Sequence, residues 1–181
     1  MTSPTDLRRA ADEIFERTSP YEGMGLRNHC LRIHRFAGML LRRGRLALDD
    51  GLVYLAAMVH DLGLLSDRDP GANYLERTRA LFRRETRELG IDPAAAAVVE
   101  ECLLFNHRLR RPAGVSPEAE CFRRAVWTEH SRGIVRHGLP RAEVRRVFAE
   151  LPRDNFDVVL LDFTRRVVGR EPLTLVRGIF F

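Results

Sequence analysis

Apolar positions recur at intervals of three and four along most of the chain, the spacing that lines side chains along one face of a helix. Leu31, Phe36, Leu40 and Leu41 form one stripe, Leu52, Leu55, Ala56 and Val59 a second, and Val98, Cys102 and Phe105 a third. Alternation with period two, the mark of a half-buried strand, is nearly absent; the ending "LTLVRGIFF" (173–181) is the one segment that reads as extended. Helix starts are marked by Ser3-Pro4, Asp92-Pro93 and Ser116-Pro117, each a capping side chain ahead of a proline at the first helical position, and Asp6 can close a capping box with Ser3. Gly44, Gly63, Gly90 and Gly138 each follow a helix-like segment and read as stops. The pattern predicts helices over 4–17, 24–43, 49–62, 73–89, 93–107, 117–137, 141–150 and 155–168, an all-α bundle of seven to eight helices. "SDRDPGA" (66–72) and "RPAGVSP" (111–117) are short Pro/Gly loops within it.

Composition narrows the class. A chain of 181 residues, 45% hydrophobic, is long enough for one core and carries no polar spacer to divide it, so residues 1–181 read as a single domain. The net charge of +5 raises nucleic acid as a partner, but all thirty basic residues are Arg and they are spread over most of the helices instead of forming a stripe. The expected partner is a small-molecule substrate, not nucleic acid. No apolar h-region opens the chain and no apolar run is long enough for a bilayer, which points to a cytoplasmic protein with no membrane segment. Cys30, Cys102 and Cys121 are odd in number and widely spaced, and read as small core residues without a disulfide framework. The apolar ending "GIFF" could pack on its own core or on a neighbour, which leaves room for a homo-oligomer.

Against this background "LAAMVHDLGLL" (55–65) stands out, because His60 and Asp61 sit side by side in an otherwise apolar run. Burying an imidazole and a carboxylate is costly unless each finds a partner, and a metal ion suits both. Thirty-one residues upstream, His29 lies on the same helical face as Arg32 and Phe36, while His34 points elsewhere and reads as surface. The plainer reading is a hydrogen-bonded core histidine and an aspartate capping a loop.

"NHCLRIHRFAGMLL" (28–41) followed by "LAAMVHDLGLL", and then "FNHRLRRP" (105–112) and "FRRAVWTEHSRGIVRHGLPR" (122–141), resembles the HD-domain superfamily of metal-dependent hydrolases, nearest to its cyanamide hydratase-like branch. The resemblance implies a divalent metal ion (zinc, iron or manganese) held by His29, His60 and Asp61. The family's fourth ligand, an aspartate, falls on Val126, which cannot coordinate. One helical turn on, Glu129 or His130 could reach the ion instead, and His130 is carried as the candidate fourth ligand. Glu129 otherwise reads as an exposed residue. Alternatively three protein ligands suffice, or the metal is lost.

His107, at the end of an apolar helix, matches a position that faces the pocket in the family; it is a candidate acid, base or substrate holder, or a ligand to a second ion. A helix-end histidine interacting with the dipole is the competing reading. Arg32, one turn from His29, could clamp an anionic group or pair with a ligand carboxylate. Trp127, Phe36, Phe105 and Phe122 could wall a pocket or belong to the core, and His137 reads as a helix-end residue. The implied activity is a hydrolase or hydratase using a metal-activated water on a phosphoester or a small nitrile-like compound. The other reading is a catalytically silent fold that binds a ligand or another protein.

Overall fold

The computed structural model describes residues 4–66 and 69–173. Eight α-helices run through the described residues: α1 Pro4–Thr18, α2 Gly25–Gly44, α3 Asp50–Val59, α4 Tyr74–Glu85, α5 Pro93–Phe105, α6 Pro117–His130, α7 Arg141–Glu150 and α8 Phe156–Arg170. Short 3₁₀ turns, Leu62–Leu64 and Arg87–Leu89, follow α3 and α4. No strand occurs among the described residues, so the chain is all-α; the ending 174–181, part of the segment read as extended, and the Ser3 cap lie outside them.

The caps the sequence signals are made. Asp92 accepts from the amides of Ala94 and Ala95 at 3.0 Å each, with Pro93 in the first helical position, and Ser116 accepts from Ala119 at 3.2 Å. Asp49 and Asn73 cap α3 and α4 in the same way, though no proline announces them.

Two stops differ from expectation. α6 ends at His130 instead of near 137, because Arg132 takes a left-handed conformation (φ 53°) while Gly133 N–H bonds Thr128 O and Arg132 N–H bonds Glu129 O. This is a Schellman closure on a non-glycine residue. α2 closes likewise on Arg45 (φ 53°), so Gly44 is the last helical residue and not the left-handed one. Gly63 serves close packing: a Cβ there would lie 2.2 Å from Tyr74 O and 2.4 Å from Thr78 N. Its amide donates to Thr78 Oγ1 at 3.0 Å, which docks the start of α4 onto the turn after α3.

Helix α3 is buried from Gly51 through Val59, so it runs through the interior with apolar residues on every side. It packs against α1, α2 and α5, while α2 also touches α6, α7 and α8. The third stripe falls on Val99, Cys102, Leu103 and Asn106, with Val98 and Phe105 only half-buried, because α5 turns that face to α3, α4 and α6. Cys30, Cys102 and Cys121 are buried and free. Among the described residues no helix is long and apolar enough to cross a membrane.

Candidate metal centre

Three elements bring the singled-out side chains together. Helix α2 presents His29, the residues just beyond the C-terminus of α3 present His60 and Asp61, and the last turn of α6 presents Glu129 and His130. His29 and His60 are fully buried and Asp61 is 5% exposed. His29 Nε2 lies 3.2 Å from His60 Nε2 and 3.6 Å from Asp61 Oδ2, and His60 Nε2 lies 3.1 Å from the same oxygen. An ion about 2.0–2.2 Å from each of its ligands sets neighbouring ligand atoms about 3.0–3.5 Å apart, which is the size of this triangle.

The outer ring nitrogens decide what the inner ones offer. His60 Nδ1 is 2.7 Å from Ala57 O, a contact in which the imidazole must donate. His29 Nδ1 lies 2.9 Å from Glu129 Oε2, out of line for a full hydrogen bond but tolerable only with the proton on nitrogen. With both Nδ1 atoms protonated, neutral rings turn two Nε2 lone pairs toward each other and toward a carboxylate oxygen. Electron-rich atoms this close in a buried site require a cation or an added proton between them. The residues therefore fit a metal ion: two neutral imidazoles and one carboxylate, a set suited to zinc, iron or manganese.

Ionisation follows the same crowding. Burial alone would raise the Asp61 carboxyl, but the imidazoles of His60, His107 and His29 outweigh it and hold Asp61 well below the usual range. Burial pulls His60 down, yet the Asp61 carboxylate and a contact with Cys30 leave it well above its ordinary value, so a proton can take the place of an ion when none is bound.

Glu129 is wholly buried, contrary to the exposed position expected for it. Its Oε1 accepts from Arg32 Nε (3.0 Å), Arg32 Nη2 (2.6 Å) and Arg153 Nη1 (3.0 Å), while Oε2 faces His29. Burial would raise this carboxyl, but His29, His130 and Arg32 hold it far below the normal carboxylate range. Glu129 thus reaches the outer nitrogen of His29, not the inner triangle, and fixes that ring through a carboxylate held by two arginines. Val126, where the family pattern calls for an aspartate, is fully buried in the apolar core.

Arg32 is 0% exposed, and its remaining nitrogen donates to Leu151 O (2.8 Å) and Pro152 O (3.0 Å). It pairs with Glu129, a carboxylate outside the triangle and not with the ligand Asp61, and an incoming anion finds no donor on it. Arg123 is likewise buried and paired with Glu120.

His130 and His107 sit nearer the surface, with side chains 22% and 21% exposed. His107 Nε2 lies 3.5 Å from Asp61 Oδ1, the oxygen turned away from the triangle. The His130 ring centroid is 5.3 Å from His29 and 5.4 Å from His107, and its buried Nε2 has no hydrogen-bond partner. Burial, helped by His29 and His107, pushes His130 down to about 3. His130 groups with His29 and Glu129 as a possible ligand set that shares His29 with, but does not include, His60 and Asp61.

Several neighbours carried no sequence signal. Phe156 stacks on His29 (centroids 4.1 Å, 13° between planes), and the Arg153 guanidinium lies 4.9 Å from the centroid of the Phe156 ring. Tyr74, buried at the start of α4, lies 6.2 Å from His107. Of the aromatic residues singled out, Phe36 and Phe122 are core, and Phe122 meets His60 edge-on at 6.2 Å. His34 is half-buried and paired with Asp50, and His137 lies in the loop between α6 and α7. No protein-family model, no curated protein and no solved structure matches the chain.

Proposed function

We propose that the chain is a metal-dependent hydrolase or hydratase whose single ion is held by His29, His60 and Asp61. The observation that supports it most is the buried triangle of two imidazole lone pairs and a carboxylate oxygen with edges of 3.1 to 3.6 Å. A bound divalent ion would supply Lewis-acid activation of water at that point.

The remaining steps belong to the chain. Glu129, clamped by Arg32 and Arg153, keeps the proton on His29 Nδ1 and the lone pair on Nε2. Phe156 and Phe122 close the buried side and exclude bulk solvent. His107, beside Asp61 Oδ1 and partly exposed, is placed to pass a proton to or from the reacting group. His130, neutral across the physiological range, offers its unpartnered Nε2 to a substrate polar group. Because Arg32 is engaged by Glu129 and two backbone carbonyls, it gives no clamp for a phosphoryl group, and the reading favours a small uncharged substrate over a phosphoester.

The raised His60 supports a second reading, a catalytically silent fold in which an imidazolium–carboxylate pair replaces the ion. Metal-free and metal-reconstituted protein, assayed on small nitriles and on an aryl phosphodiester, separates the two. The proposal expects turnover restored by metal and lost in His107→Ala with metal content intact. Protein that takes up no metal, even after incubation with zinc, manganese or ferrous ion, and turns over none of these compounds supports the silent fold.

A further inference from the structure

Away from the histidine cluster, α4 and the 3₁₀ turn after it carry Arg79, Arg83 and Arg87 at intervals of four, lining a surface concavity of about 580 Å³ with Arg84, Asp69 and Gly71 among its other walls. A volume of this size lies in the range that encloses a small ligand.

Among the described residues, the carboxylates around it other than Glu76 are each paired with an arginine. Asp69, buried, accepts from Ser66 and Arg84. Glu76 accepts from the Ala72 amide at 2.8 Å. Glu85 pairs with Arg84 and Arg17, and Glu100 receives Nε and Nη2 of Arg83 at 2.6 Å each. Arg84 is thereby neutralised and only Nη1 of Arg83 is left outside its pair with Glu100. Arg79, half-buried, and Arg87, exposed, make no hydrogen bond or ion pair among the described residues. The concavity therefore holds unanswered positive charge at both ends, presented by planar forks suited to phosphoryl oxygens.

Helical rise sets the Arg79 and Arg87 backbones about 12 Å apart, too far for one phosphate to engage both squarely but within reach of a short chain of them. We propose that this groove binds a small polyphosphate anion, two or three linked phosphoryl groups held between Arg79, Arg83 and Arg87. It is independent of the metal centre.

Calorimetric titration tests it with sodium tripolyphosphate and, separately, inorganic phosphate. One tripolyphosphate per chain is expected, bound at least tenfold more tightly than phosphate. The pair Arg79→Gln and Arg87→Gln should lose tenfold or more, whereas Arg141→Gln with Arg145→Gln, two exposed arginines of α7, should bind as the parent does, and so should His60→Ala. Absence of saturable binding overturns the proposal, as does an equal loss in the α7 variant. So does loss in His60→Ala, which places the anion at the histidines, or tighter binding of a single-stranded oligonucleotide than of tripolyphosphate.

Discussion

Glu129→Ala separates the two jobs assigned to that carboxylate. Glu129 and Arg32 are both fully buried, and Glu129 receives three donors from Arg32 and Arg153. Its removal leaves the Arg32 guanidinium buried with only the carbonyls of Leu151 and Pro152, a broken buried pair that costs about 3–5 kcal/mol. At about 2.1 cal/mol/K per residue, the unfolding entropy of this chain is about 0.4 kcal/mol/K, so Tm should fall by about 8–13 °C. Thermal unfolding followed by circular dichroism in chelator measures this without a contribution from bound ion. The second job is orientation of His29, and loss of such a carboxylate partner weakens metal binding about 10- to 100-fold. Combining Arg32→Met with Glu129→Leu removes the charges together and should recover much of the stability while leaving metal affinity low. Refutation would be a single variant within about 1 kcal/mol of the parent and an unchanged zinc affinity in a competition titration.

Further outcomes follow from the same contacts. His130 has a folded-state value of about 3, below that of an unfolded histidine, so its contribution is intact above about 6.5 and is lost as pH falls, by at most about 1.4 kcal/mol per unit. At pH 5 this amounts to about 2 kcal/mol; His60, shifted the opposite way, favours the folded state at low pH, so the comparison is parent against His130→Gln by urea unfolding, and the variant should lose less stability between pH 7 and 5. Gly63→Ala should cost about 1–3 kcal/mol or more, because its Cβ meets Tyr74 O and Thr78 N, and metal affinity should fall with it as Asp61 is displaced. Asp92→Ala removes a cap remote from the site; it should cost about 1 kcal/mol in denaturant unfolding and leave metal affinity unchanged.

Local chemistry explains what could be read from the sequence. Helix starts were legible because Asp92 and Ser116 cap through their own side chains, one proline away. The ends of α2 and α7 were legible to within a residue, but the end of α6 was not, because it closes on Arg132, a residue with no intrinsic preference for the left-handed region. His60 and Asp61 were conspicuous as polar residues at the end of a helix buried throughout. The shell around them was less so: Glu129 was visible only as a possible ligand, and Arg153 and Phe156, from the α7–α8 turn and α8, each read alone as an ordinary surface or core residue. Only the fold shows that a glutamate one turn from Val126 meets the outer nitrogen of His29. The arginine at position 32 was visible as a neighbour of His29, but whether it faced solvent or a carboxylate depended on where α6 packed.

The central claim is that His29, His60 and Asp61 share one cation, and titration of metal-free protein with Co²⁺, followed by its visible absorption, tests it most directly. One ion per chain is predicted for the parent, with binding abolished in His29→Ala, His60→Ala and Asp61→Asn while circular dichroism shows each variant still helical. A parent that takes up no ion, or variants that bind it as tightly, would contradict the account.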